Sequence, residues 1–258
     1  MQEITIAEIE NAENEGTLGF HFCKTEDLYP NPNVRSKLNP DESSKGILIE
    51  GLIADNKGYL SSASKDEQPA VFFSLGFKGA LGYINRILTN LSRFDLLIER
   101  NPEYVEKFFH KEKEFYIKNK NNPNWIYIIA HDYLSNLSYV VLDLNGIKKE
   151  AYDKLSNSGK QEIDYIIDDI DYANNQQRQT IRNMHTLVRK NVSPTKIRKI
   201  SGNAIEIIMQ MYKAFKRKYP NTSYLETEEW ENRKIKNDFL TGFVEYEQSK
   251  YYSDDVER

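Results

Sequence analysis

The spacing of apolar residues divides this chain into short strands at its front and amphipathic helices behind them. "GFHFCK" at Gly19–Lys24 reads as a short strand followed by a turn at "YPNPN", Tyr29–Asn33. In Ser43–Gly58, serines precede a brief apolar run, which predicts one or two capped helical turns ending near Gly51. Ser61–Pro69 is a polar loop, and "AVFFSLG" at Ala70–Gly76 is a buried strand rich in aromatic and β-branched residues.

Beyond Gly76 the period changes. Leu81, Ile84, Leu88, Leu91 and then Phe94 or Asp95 recur at three- and four-residue steps, the stripe of an amphipathic helix. A further helix follows with Pro102 in its first turn. "NPNWIYIIAHDY" and "LSYVVLDLNG" predict two strands of a β-hairpin turning at Ser135 and Asn136. After Gly146 the pattern predicts helix to about Arg182. Ser193 and Pro194 mark a capped first turn, and Ile205, Ile208, Met211, Tyr212 and Phe215 line one face of the next helix. The expected fold class is therefore α+β. A small mixed or antiparallel sheet occupies residues 1–146, and a mainly helical region, 147–258, packs on it.

Composition changes this picture little. With 39% hydrophobic and 29% charged residues the chain reads as globular. Its 17 tyrosines and 12 phenylalanines favour rings with polar tips at surfaces or clefts. The single cysteine, the acidic N-terminus and the lack of a membrane-length apolar run predict a cytoplasmic protein with no membrane contact. The net charge of −4 disfavours a general nucleic-acid coat protein. Charge is nevertheless uneven. Arg189–Lys218 is a basic block, which either meets phosphates or forms a solvated face paired with the acidic stretch Gln161–Tyr172.

Several signatures of known chemistry are absent, including the phosphate-binding G-x-x-x-x-G-K-[ST], G-x-G-x-x-G, H-E-x-x-H and G-x-S-x-G. The four histidines, His21, His110, His131 and His185, are scattered, and no metal site is expected. His131 and Asp132, adjacent on the expected strand, would face opposite ways. His21 stands out, between Phe20 and Phe22 and two residues from Cys23.

In order, "HFC" at His21–Cys23, "ILIEGL" at Ile47–Leu52 and "VFFS" at Val71–Ser74 resemble the histidine-bearing branch of the ADP-ribosyltransferase-like fold. The resemblance spans about 60 residues, roughly a quarter of the chain. It implies a sheet core of that type, NAD as the bound dinucleotide and a macromolecular acceptor, as in a toxin or effector. It implies that His21 meets a ribose hydroxyl while its backbone groups clamp the nicotinamide amide, with Phe22 and Cys23 beside it in the cofactor site. Phe73 and Ser74 then line the nicotinamide wall, and Tyr59 stacks nearby. The family also places a glutamate on a late strand. Glu226 and Glu228 would share one face if "SYLETEEWE" is extended, but the same residues read as a helix start capped by Thr227. Two further readings stand beside this one. One is a non-enzymatic interaction protein binding protein or nucleic acid through Arg189–Lys218. The other is an RNA 2′-phosphotransferase-like enzyme receiving the RNA backbone on that block.

Overall fold

The computed structural model describes residues 3–11, 17–54, 69–92, 94–100, 102–147, 150–151, 186–220, 229–230, 233–234 and 238–254. The helices among them are α1 (Ile6–Asn11), α2 (Ile47–Glu50), α3 (Gly76–Leu91), α4 (Phe94–Arg100), α5 (Pro102–Phe108), α6 (His110–Asn119), α7 (Trp125–Ser135), α8 (Ala204–Lys218) and α9 (Phe239–Asp254). The strands are β1 (Leu18–Lys24), β2 (Asn31–Arg35), β3 (Ser43–Ser44), β4 (Val71–Leu75), β5 (Leu137–Asp143), β6 (Glu150–Ala151), β7 (Thr186–Val188), β8 (Ile197–Lys199), β9 (Glu229–Trp230) and β10 (Arg233–Lys234).

Two compact units share the chain. The first comprises residues 1–82 and 137–235, the second 83–136 and 236–258. The chain therefore divides at Gly82, Asn136 and Ile235, and not at Gly146 as its composition predicts.

The first unit is built on a six-stranded sheet in the order β6-β7-β4-β1-β5-β8, with every neighbouring pair antiparallel. The mixed alternative is not seen in this sheet. Successive side chains on a strand alternate faces, and residues paired across an antiparallel ladder share one. The register Gly19↔Leu142, His21↔Val140 and Cys23↔Ser138 therefore puts Gly19, His21 and Cys23 on one face. That face joins a core of Cys23, Val71, Phe73, Val140, Leu142 and Val188 with Leu28, Leu48, Leu52, Val192 and Ile197. The opposite face carries Phe20, which meets Phe77 at the start of α3, and Phe22, which meets Tyr139.

Helix α2 ends as its sequence predicts, at Gly51 with φ of 85°. That left-handed conformation suits glycine. An added Cβ there would strike the Val192 carbonyl, whose amide and oxygen form a bridge with Leu52. The serines before it do not cap the helix. Ser43 and Ser44 form β3 and pair with β2, so the expected turn at Tyr29–Asn33 continues into a strand at Asn31.

In the second unit the stripe appears as read: Ile84, Leu88, Leu91 and Phe94 are all buried. The predicted β-hairpin does not form. Its second half is β5, but Trp125–Ser135 is helix α7. The reason lies at the ends. Asn122 Oδ1 accepts from the Asn124 amide, and the Asn124 carbonyl takes the first helical bonds, from Tyr127 and Ile128. At the other end Ser135 and Asn136 side chains both donate to the Asp132 carbonyl, closing the helix where a hairpin turn was expected. Ile129, Ala130 and Leu134 then fall on one buried side.

Helix α9 starts on two caps. Asp238 accepts from the Thr241 amide, and buried Asn85 accepts from the Leu240 amide at 3.0 Å. These satisfy orphan donors of the first turn. Lower down, buried Glu247 accepts from His131 Nδ1 at 2.9 Å and from Lys250 at 3.0 Å, which ties α9 to α7.

Other expectations behind Gly146 shift. Glu150–Ala151 is a strand paired to β7, and the helix predicted from there to Arg182 otherwise lies outside the described residues. Ser193 caps only a 3-10 turn, Pro194–Lys196. The long helix begins instead at Asn203, whose side chain and that of Glu206 form a capping box. Ile205, Ile208, Met211 and Phe215 are buried as predicted. Among the described residues no helix is long and apolar enough to cross a membrane.

Gly51→Ala should cost roughly 1–3 kcal/mol, from the left-handed backbone and the collision with Val192 together. Urea unfolding checks it. A midpoint equal to wild type would show that the α2 end yields without strain.

Candidate functional site at His21

The ladder between β1 and β4 is short. It pairs Gly19 with Leu75 and Phe20 with Ser74, whereas β1 stays paired with β5 down to Lys24↔Leu137. Where the β1–β4 ladder stops, the His21 side chain takes over. Its Nδ1 lies 2.8 Å from the Phe72 carbonyl oxygen. A carbonyl only accepts, so Nδ1 carries the proton and Nε2 of the neutral ring is the acceptor.

Burial favours that neutral form. It pulls the His21 pKa below its ordinary 6.5, the Phe72 bond opposes this, Lys37 adds to it and Asp27 opposes it. His21 is half-buried, so the ring is held but not sealed. Around it on the same face stand Val140, Phe73 and Cys23, with Lys37 and Asp27 supplying charge. Thr25 Oγ1 and Ser138 Oγ meet at 2.9 Å beyond Cys23.

The structure separates the residues that sequence grouped together. Phe73 shares the His21 face but is only 4% exposed, and its ring fills the space over Gly19, where an added Cβ would lie 2.6 Å from Phe73 Cδ2. It is core against glycine and not an open wall. Ser74, 5% exposed and paired with Phe20, points to the opposite face from His21. Phe22 also points away and packs on Tyr139 with ring centroids 4.8 Å apart. Cys23 donates a long contact, 3.7 Å, to the Ser138 carbonyl, and burial pushes its thiol up to about 12. A thiol held that high is not a nucleophile near neutral pH.

Tyr59, Glu226 and Glu228 lie outside the described residues. The residues just after them form the ribbon β9–β10, with Glu229 paired to Lys234 and Trp230 to Arg233. The helix start expected at Thr227 is thus not continued at Glu229. Asp143 does not approach His21 either. It sits opposite Leu18 at the far end of β5, bound to Lys196 at 3.2 Å. His131 belongs to the second unit and serves the Glu247 network.

Lys37 and Asp27, whose charges act on the His21 ring in opposite senses, are neighbours that sequence reasoning missed; both belong to the segment between β1 and α2. Comparison with protein-family models, curated proteins and solved structures finds no match to this chain.

Two outcomes follow from the ring and the thiol. A histidine whose folded pKa is lowered binds fewer protons folded than unfolded, so stability rises with pH through the window just below 6.5. Acidification from pH 7 to 5 should therefore weaken the fold, and His21→Gln should flatten that slope in urea titrations. An unchanged slope would mean that another group carries it. Cys23 in the native protein should resist a disulfide reagent at pH 8 and react at full rate only in denaturant. Rapid native labelling would contradict the burial.

Proposed function

We propose that this protein is an NAD-dependent ADP-ribosyltransferase-like enzyme acting on a macromolecular acceptor, with NAD+ as substrate at His21. One observation carries the reading. Where β1 and β4 part, a neutral histidine is locked by Nδ1 onto the Phe72 carbonyl with Nε2 left to accept. An acceptor nitrogen of fixed orientation suits a ribose hydroxyl, which donates. Lys37, whose charge the His21 ring feels, has the sign that suits a pyrophosphate.

The donor set supports the ribose end of the site better than the nicotinamide end. Phe73 and Ser74 do not join His21 around one ligand, so a nicotinamide wall falls to other residues, with Tyr59 the candidate in the sequence. NAD+ would supply a glycosidic bond to a cationic pyridinium that leaves as neutral nicotinamide; its cleavage builds positive charge on the ribose, and a carboxylate is needed to meet it. Glu226 and Glu228 are our candidates for that role. The histidine itself does no proton transfer in this scheme. It orients the ribose, and its tautomer is set by the sheet and not by the ligand.

Isothermal titration with NAD+, coupled to nicotinamide release, tests the proposal. Wild type should bind saturably. His21→Asn, whose amide N–H stands where Nδ1 does for the Phe72 carbonyl but which has nothing at the Nε2 position, should bind about tenfold or more weakly. The absence of binding at millimolar NAD+ by folded wild type would end the reading.

A further inference from the structure

Among the described residues Glu247 is the one charged side chain that the fold buries, with only 2% of the residue exposed. A carboxylate taken out of water needs donors. Two reach the same oxygen, Oε1: His131 Nδ1 from α7 at 2.9 Å, and Lys250 Nζ, three residues along α9, at 3.0 Å. Lys250 Nζ in turn lies 3.1 Å from His131 Nδ1. The three polar atoms thus stand at the corners of a nearly equilateral triangle, and all three residues belong to the second unit.

No placement of protons satisfies all three sides. The carboxylate only accepts and the ammonium only donates. With its proton on Nδ1, the neutral ring lets both donors reach Oε1 and leaves the third side, donor against donor, as the weak one. A second proton, at Nε2, turns that mild mismatch into two full cations 3.1 Å apart. Coulomb energy varies as the inverse of distance, so the imidazolium repels Lys250 about as strongly as it is drawn to Glu247. Two cations then compete for one oxygen.

They differ in their freedom to leave. The His131 ring is short-stemmed and fixed on α7, whereas Lys250 has a flexible four-carbon stem and a side chain 37% exposed. It also has a second resting place, over the Tyr246 ring, 4.4 Å from the centroid. The neighbouring charges are engaged elsewhere. Lys111 of α6 holds Asp132, the residue after His131, at 3.0 Å, and on α9 Asp238 and Glu245 act on the Tyr127 hydroxyl. Tyr127 and Tyr246 pack together with ring centroids 5.7 Å apart.

We propose that His131, Glu247 and Lys250 form a proton-operated clasp: on taking up a proton His131 keeps Glu247 for itself, and Lys250 swings out to water. The link between α7 and α9 therefore survives acidification, while the ion pair within α9 is given up. The clasp lies in the second unit and does not depend on the NAD+ reading.

Nuclear magnetic resonance of the full chain, with carbon-13 in its lysines and histidines, tests this between pH 8 and about pH 5, the interval in which histidines ordinarily take up a proton. Lys250→Met and His131→Asn assign the two signals. At pH 8 the Lys250 ε-methylene should show a nuclear Overhauser effect to the His131 ring proton that sits between the two nitrogens. That effect should be lost as the ring proton's own shift reports protonation, and the ε-methylene signal should move with the same midpoint. His131→Asn keeps an N–H for Glu247 but takes up no proton, so the Lys250 signal should stay constant there, with circular dichroism confirming the fold. An Overhauser effect that persists once the ring is protonated overturns the proposal. So does its absence at pH 8, a ring that stays neutral to pH 5, or a Lys250 signal that still moves in His131→Asn.

Discussion

The hydrogen bond from His21 Nδ1 to the Phe72 carbonyl is the constraint on which the rest of the candidate site depends. β1 is clamped along its full length by β5 but holds β4 over only two residue pairs. Without a further link, two strands in one sheet would diverge and leave backbone groups unpaired. The imidazole supplies that link, and in doing so fixes its own tautomer. Structure and chemistry are therefore coupled at one atom pair: the nitrogen that ties the sheet leaves the other free to accept.

The same geometry limits what surrounds the ring. Gly19, two residues before His21, admits the Phe73 ring because it has no Cβ. That packing draws Phe73 into the core and away from any ligand. Alternation does the rest, since Ser74 and Phe22 belong to the face on which Phe20 packs against Phe77. The two faces of β1 have separate roles, one apolar and closed, the other holding a half-buried polar group.

Much of this was legible in the sequence where a local rule governs. β1, the glycine end of α2, the step from β4 into α3 and the buried face of α8 all follow from period and cap residues. Trp125–Ser135 was not, because its opening run of aromatic and aliphatic side chains, Trp125 to Ala130, fits a buried strand and a helix equally by composition. Side-chain bonds of Asn122, Ser135 and Asn136 bracket the helix at its two ends, and no apolar pattern encodes them. The unit boundaries were hidden for a related reason. Asn85 caps α9 across 155 positions, and Glu247 meets His131 across 116, so the second unit is assembled from distant segments. At the site, His21 and its face were legible, whereas Ser74 was misplaced by grouping "VFFS" as a unit when period two splits it.

Charge shows how a chain of net −4 keeps a cationic surface. Glutamates at positions 3, 8 and 10 sit where β8 and α8 present Lys199, Arg198 and Arg217. Surface ion pairs of this kind contribute little stability each, about 0–1 kcal/mol, so their effect is distribution more than strength. The three glutamates meet Lys199 and Arg198 on β8 and Arg217 near the end of α8. Lys216 and Lys218 there lie over the Tyr212 and Tyr219 rings, at a helix end whose dipole is negative. Hence the overall acidity of the protein does not forbid an anionic partner. The field a phosphate meets falls off within about 10 Å at ordinary salt, so the local arrangement governs it and not the sum.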